Sequence, residues 1–184
     1  MMPDYKESLA LFHEWTESES LRRHAYAVEA AMGYYAEKYG EDVEKWRITG
    51  LLHDMDYERH PTQEEHPFVG VGKLKELGYP EDVTTAILGH AAYSGVSRET
   101  RLAKTLFAVD ELAGLITAIG YVRPNGLQDL SVKSVRKKLK DKAFAAAVSR
   151  EDIQLGADEL GIDLSEHIAN VAAGMSREAE RLGF

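Results

Sequence analysis

The stretch Leu51-Leu52-His53-Asp54-Met55-Asp56-Tyr57 sets an imidazole and a carboxylate side by side at the end of an apolar run. Adjacent residues on a helix do not face each other, but at a helix terminus the backbone can turn both toward one point. A nitrogen and an oxygen donor together suit a borderline or hard divalent cation. His-Asp dipeptides are common, so the pair gains meaning only from further ligands. His24 lies three residues after Leu21 and four before Val28, on a helix face that packs inward. Alone it reads as a buried histidine satisfied by a backbone carbonyl or a neighbouring side chain. Asp110 is harder to dismiss, because it interrupts the apolar segments Ala103–Val109 and Leu112–Ile116. An ionised carboxylate on such a face is costly unless it is paired or bound to a cation. Arg101 and Lys104 sit poorly for a contact inside the same helix, and Glu111 reads as the solvated member of the acidic pair. His24, His53, Asp54 and Asp110 thus offer two imidazoles and two carboxylates from three helices. Such a set can hold a divalent ion with positions left open for water and substrate.

The elements that must position these residues read as helices throughout, with no convincing alternating strand. Asp4–Trp15 is a short amphipathic helix. Ser18 or Ser20 caps a second that runs to Tyr39 and stops at Gly40, with Leu21, Ala25, Val28, Met32 and Tyr35 inward. A third, opened by Asp42, ends at the His-Asp pair. Tyr57–Glu65 is polar, carries Pro61 and reads as a loop. Helices are expected over His66–Leu77, from Pro80 to about Ala92, and over Glu99–Tyr121; Pro124-Asn125-Gly126 is a break. Three shorter helices follow, over Ser131–Lys140, Arg150–Leu160 and Leu164–Arg181. The expected architecture is all-α, a helical core over 1–123 and a C-terminal helical appendage over 124–184 packed on it as one structural domain.

Composition narrows the function. The chain has 184 residues, 22 basic and 31 acidic, for a formal charge of -9. That balance argues against nucleic acid or an anionic membrane as the main partner. The absence of cysteine excludes disulfides, thiolate zinc sites and a thiol nucleophile. The first fifteen residues lack the basic-then-apolar order of a signal peptide, and the greasiest run, Leu112–Val122, is too short to span a bilayer. A cytoplasmic protein is expected, and a homodimer is compatible with the sequence.

The order His24, then His53-Asp54, then a distant Asp110 resembles the HD-domain superfamily of metal-dependent phosphohydrolases, over roughly Leu21 to Tyr121. The segments His53–Tyr57 through His66-Pro67, Val122-Arg123-Pro124 and Val132–Lys138 are also similar to a subgroup of short predicted HD hydrolases. The resemblance implies an HD-domain helical bundle in which His24, His53, Asp54 and Asp110 ligate Mn, Fe, Co, Ni, Zn or Mg. Two-metal members carry extra histidines at places similar to His66 and His90, so one or two ions are expected. Otherwise His66 reads as a helix-cap residue and His90 as a partly exposed one. His13, His60 and His167 read as surface residues.

A divalent ion makes bound water more acidic and offers its charge to a phosphoryl oxygen. Asp56, with Asp54, is the catalytic candidate: it could orient the attacking water or act as general base, or be a solvated turn residue. Arg23, Lys104, Arg123 and Lys133 are the candidates for substrate phosphate. The helix with Lys133, Arg136, Lys137, Lys138 and Lys140 has Val132, Val135 and Leu139 on its apolar side. Its charges read first as a solvated face, and more sharply, with Arg123, as a holder of anionic substrate over the metal. The leading expectation is hydrolysis of a phosphoester of a small metabolite, a nucleotide first among them. The alternatives are a di-iron HD-fold oxygenase and a non-catalytic nucleotide-binding regulatory domain.

Overall fold

Capping and hydrophobic spacing dictate the helices, and a computed structural model describes all of residues 1–184. Nine α-helices follow in order: α1 (Tyr5–Trp15), α2 (Glu19–Tyr39), α3 (Val43–Leu52), α4 (Phe68–Glu76), α5 (Glu81–His90), α6 (Arg101–Val122), α7 (Val132–Lys140), α8 (Arg150–Leu160) and α9 (Leu164–Arg177). There is no strand. Asp4 and Glu7 close a reciprocal capping box on α1. The side chains of Ser18, Asp42, Thr100, Ser131, Ser149 and Asp163 each accept an orphan N–H at a helix start. Gly40 ends α2 with φ 68°, a left-handed conformation that a side chain would strain.

Several boundaries differ from the sequence reading: α5 ends at His90 rather than near Ala92, α6 begins at Arg101 rather than Glu99, and two further shifts have clear consequences. His66 and Pro67 precede α4, which begins at Phe68, because proline has no N–H for a helix interior and restricts the residue before it. The last helix stops at Arg177, and residues 178–183 form turns.

One hydrophobic core crosses the break at Pro124. Met32, Leu51, Leu106, Leu112 and Ile116 belong to the same cluster as Val135, Ile153, Ile168 and Met175. Close backbone approach makes this possible at two glycines. A Cβ on Gly156 of α8 would lie 2.5 Å from Ala108 Cα of α6, and one on Gly174 of α9 would lie 3.0 Å from Ala30 O of α2. The apolar length of α6 would suffice to cross a membrane, but 61% of that stretch is buried inside the fold, as expected of a central core helix.

Buried polar groups tie the layers together. Glu29 is fully buried and paired with Arg47 (2.7 Å) and Arg181 (3.1 Å). His167, expected at the surface, is fully buried. Its Nε2–H donates to Ala108 O (2.7 Å) and its Nδ1 accepts from the Tyr35 hydroxyl (2.5 Å), tying α9 to both α6 and α2. Burial lowers its pKa to about 4. His13, also expected at the surface, is half-buried and bonded to Tyr26 Oη (2.7 Å). His60 is part-exposed beside Glu65 (3.2 Å).

Candidate metal centre

Four helices deliver the site. α2 carries His24, the C-terminal end of α3 carries His53 and Asp54, α5 ends at His90, and α6 carries Asp110 midway. His66 comes from the turn before α4. The pair His53-Asp54 converges as anticipated because α3 ends there, releasing the chain into turns.

Donor atoms fall into two groups, each with its atoms within 4.8 Å of one another: His24, His53, Asp54 and Asp110, and Asp54, His66 and His90. Asp54 joins them. Its Oδ2 faces His53 Nε2 (3.3 Å) and His24 Nε2 (3.8 Å), while its Oδ1 faces His90 Nε2 (3.1 Å) and His66 Nε2 (3.3 Å). Asp110 Oδ1 lies 2.9 Å from His24 Nε2 and 3.2 Å from His53 Nε2.

Behind the donors, backbone and carboxylate oxygens fix the imidazoles. His53 Nδ1 lies 2.7 Å from Gly50 O, His90 Nδ1 is bonded to Ile87 O, and His66 Nδ1 lies 2.6 Å from Asp56 Oδ1. A carbonyl oxygen only accepts, so Nδ1 of His53 and His90 carries a proton and the neutral ring leaves a lone pair on Nε2. These lone pairs aim at carboxylate oxygens 3.1–3.3 Å away. Acceptor facing acceptor is unfavourable unless a proton or a cation lies between, and the donor set fits a divalent cation on that ground. Without one, protons must take the role. Burial would lower the pKa of His53, but the Asp54 and Asp110 carboxylates outweigh it and raise the value well above the usual range. Burial likewise opposes His66, yet hydrogen bonds to Asp54 and Asp56 hold it at about 9. Burial would raise Asp54 and Asp110, and the surrounding imidazoles instead hold both carboxyls well below their ordinary values.

A cavity of about 500 Å³ opens onto these groups. His24, Asp54, His66, His90 and Asp110 line its floor, and Tyr57, Tyr93, Glu111, Val148 and Asp152 stand around them. Tyr57 and Tyr93 are 42% and 45% exposed at the rim, with the Tyr57 ring packed edge-to-face on His66 (centroids 5.3 Å apart). Tyr93 also donates its hydroxyl to His66 O (2.7 Å).

The other sequence candidates lie elsewhere. Asp56 is buried behind His66 and does not line the cavity; its Oδ2 accepts Gly70 N–H (2.7 Å), so both oxygens are engaged inward. It is therefore neither a solvated turn residue nor a base facing the cleft. Arg23 points at Tyr121 (Nη1 to Oη 3.5 Å) and Glu19 (4.0 Å), away from the cavity. Lys104 and Lys133 are also absent from its lining, and Arg123 lines a different cavity. Glu111, expected in solvent, is half-buried in the cleft wall, where it accepts Ser149 N–H (3.1 Å). Burial, then the charge of Asp110, raises its pKa. Glu111, Asp152, Tyr57 and Tyr93 escaped sequence reasoning because turns and helices distant in the chain bring them together.

The HD domain family matches residues 21–115, just over half of the chain and the span that delivers every one of these donors. The chain belongs to the HD-domain family. HD proteins form a superfamily of metal-dependent phosphohydrolases, and the His/Asp groups here are suited to a divalent metal. The chain is also similar to proteins named ribonuclease Y. That of Lawsonia intracellularis is 27% identical over 176 residues, covering 88% of this chain and 32% of that protein. That of Nitratidesulfovibrio vulgaris (strain DP4) is 28% identical over 125 residues, covering 67% and 22%. That of Oleidesulfovibrio alaskensis is 26% identical over 160 residues, covering 79% and 29%. The HD chain therefore spans a third or less of the length of these curated relatives. No solved structure gives a significant match.

Proposed function

We propose that this HD protein hydrolyses a phosphoester of a nucleotide with two divalent ions sharing Asp54. The observation that carries the reading is the placement of both Asp54 oxygens between separate sets of imidazoles, with the lone pairs of His53 and His90 aimed inward. His24, His53, Asp54 and Asp110 would hold one ion, and Asp54, His66 and His90 the other. Imidazole-rich sets favour Mn, Fe, Co, Ni or Zn over Mg, which prefers oxygen. When bound, such ions supply Lewis-acid charge to a phosphoryl oxygen and make bound water more acidic.

The chain's own residues supply positioning. Asp56 fixes the ring of His66, and the Gly50 and Ile87 carbonyls fix those of His53 and His90. Tyr57 and Tyr93 place partly exposed aromatic rings beside the cleft, against which a base could stack, and this favours a nucleotide over an aliphatic phosphoester. The similarity to proteins named ribonuclease Y supports ribonucleotide chemistry in particular.

The test is turnover of nucleotides and other phosphoesters with Mn²⁺, Co²⁺, Ni²⁺, Mg²⁺ and Fe²⁺ supplied separately. Release of phosphate or nucleotide product by the wild type and its loss in His53→Ala is expected; no turnover with any metal refutes the reading. The same six donors also favour the oxygenase alternative, which a redox-active iron signal together with oxygen consumption would reveal.

A further inference from the structure

The strongest unassigned feature is the basic surface around α7. Residues 123–142 hold seven cations (Arg123, Lys133, Arg136, Lys137, Lys138, Lys140, Lys142) against two acids, in a chain of charge -9. Of the fifteen other lysines and arginines, eight form ion pairs, yet none of these seven lies within 4.0 Å of a carboxylate. The surface is concave: Arg123, Ser134, Lys137, Lys138 and Lys140 surround a cavity of about 470 Å³ with Ile119 and a single acid, Asp141. Arg123 donates to Gly126 O (2.7 Å) and Lys138 lies over the Phe144 ring, but neither contact cancels charge, and cations left without carboxylates around a hollow repel one another and attract an anion into it.

This cavity is not the metal cleft, because the two share no lining residue. They do share a wall. The segment after α7 presents Asp141 to the basic cavity and Ala147 and Val148 to the metal cleft. The guanidinium of Arg150 holds that segment by donating to the carbonyls of Lys138, Leu139, Asp141, Phe144, Ala145 and Val148. Along α6 the cleft lining ends at Gly114 and the basic lining begins at Ile119, a rise of about 7.5 Å. A phosphate in the basic cavity is thus a different phosphate from one at the metals, and a ligand filling both must carry several.

Resting on the phosphohydrolase reading, we propose that the α7 surface is a second phosphate subsite, and that the substrate is an extended single-stranded oligonucleotide whose scissile phosphate lies in the metal cleft. The exposed rings of Tyr57 and Tyr93 at the cleft suit its bases, and the lysines its backbone.

The experiment is fluorescence anisotropy of a labelled twelve-nucleotide RNA with a phosphorothioate backbone, in Mn²⁺, over a range of salt, with adenosine monophosphate and inorganic phosphate as competitors. The wild type is compared with Lys137→Gln/Lys138→Gln/Lys140→Gln, and with Lys137→Glu alone, melting curves reporting that each is folded. The proposal expects the triple variant to bind the oligonucleotide about tenfold more weakly, to narrow its advantage over the mononucleotide by a similar factor, and to reduce the log–log salt slope by about 2. Equal binding by wild type and variants, or no gain in wild-type affinity with length, overturns it. Displacement by inorganic phosphate as effective as by unlabelled oligonucleotide, phosphate for phosphate, also overturns it by showing a lone-ion site. Loss of the subsite effect with phosphoester turnover intact refutes this proposal alone, whereas absence of turnover with length-dependent binding intact refutes only the catalytic reading.

Discussion

Replacing Asp56 by asparagine isolates what a buried carboxylate does for a ligand it supports. Asp56 accepts two hydrogen bonds, from His66 Nδ1 at 2.6 Å and Gly70 N at 2.7 Å, and is 1% exposed. Asparagine keeps the shape but offers one acceptor oxygen and one NH₂ group. The oxygen must stay with Gly70 N–H, since a donor facing a donor in a buried site forfeits about 1–3 kcal/mol. The NH₂ then faces His66, whose ring relieves the conflict by moving its proton to Nε2. That nitrogen lies 3.3 Å from Asp54 Oδ1 and would no longer offer a lone pair to an ion held with Asp54 and His90. Loss of such supporting partners weakens metal binding about 10–100-fold, or about 1.4–2.8 kcal/mol. Calorimetric titration with Mn²⁺ should therefore show one of two binding events weakened in Asp56→Asn, with the event at His24, His53 and Asp110 preserved. Gly70→Ala provides a second route: its Cβ would stand 3.0 Å from Asp56 Cγ and displace the same carboxylate without altering its chemistry. Two unaltered binding events in both variants would refute the role assigned to Asp56.

Asp54→Ala should abolish binding at both groups, since its two oxygens serve each. Metal at 100 times its Kd stabilises the wild type by about 2.7 kcal/mol, a rise of roughly 5–11 °C in melting temperature for a chain of this size; an equal rise in Asp54→Ala would contradict the assignment. Gly156→Ala should cost about 3 kcal/mol or more in urea unfolding, because its Cβ meets the Ala108 backbone at 2.5 Å and α8 must move off α6; an unchanged midpoint contradicts that packing. His167 is held neutral with a pKa near 4 against an ordinary 6.5, so the unfolded chain binds more protons between these values and stability falls as pH drops. The loss should reach roughly 2 kcal/mol at pH 5 and 3 kcal/mol at pH 4; denaturant titrations across pH should show a shallower acid limb in His167→Gln, and parallel limbs would exclude His167 as its source.

Helices were legible where local chemistry alone determines them. Ser18, Asp42 and Gly40 mark ends through their own bonds or dihedral angles, and the inward spacing of Ala25, Val28, Met32 and Tyr35 follows from helix geometry. His167 had the same kind of signal, lying one before Ile168 and four before Val171 on the buried side of α9, but its polarity outweighed its position in the reading. The cleft wall had no such signal. Glu111 follows Asp110 in a helix, and only the docking of Ser149 N–H against it shows that it is enclosed. Asp56 looked exposed because polar residues follow it, whereas Gly70, fourteen residues later, is what encloses it.

Charge shows the same limit in another form. A total of -9 describes the field far from the protein, where contributions merge. Within about 8 Å, the screening distance at physiological salt, a ligand responds to the nearest groups instead. Around α7 these are cations without carboxylate partners, while many acids elsewhere are already paired: Glu29 with two arginines, Glu159 with Arg98, and Asp82 with Lys45. Acids neutralised at close range do little to offset lysines on a different face. Net charge thus guides the choice of partner where charges are mixed over a surface, and says less about it where the fold sorts them.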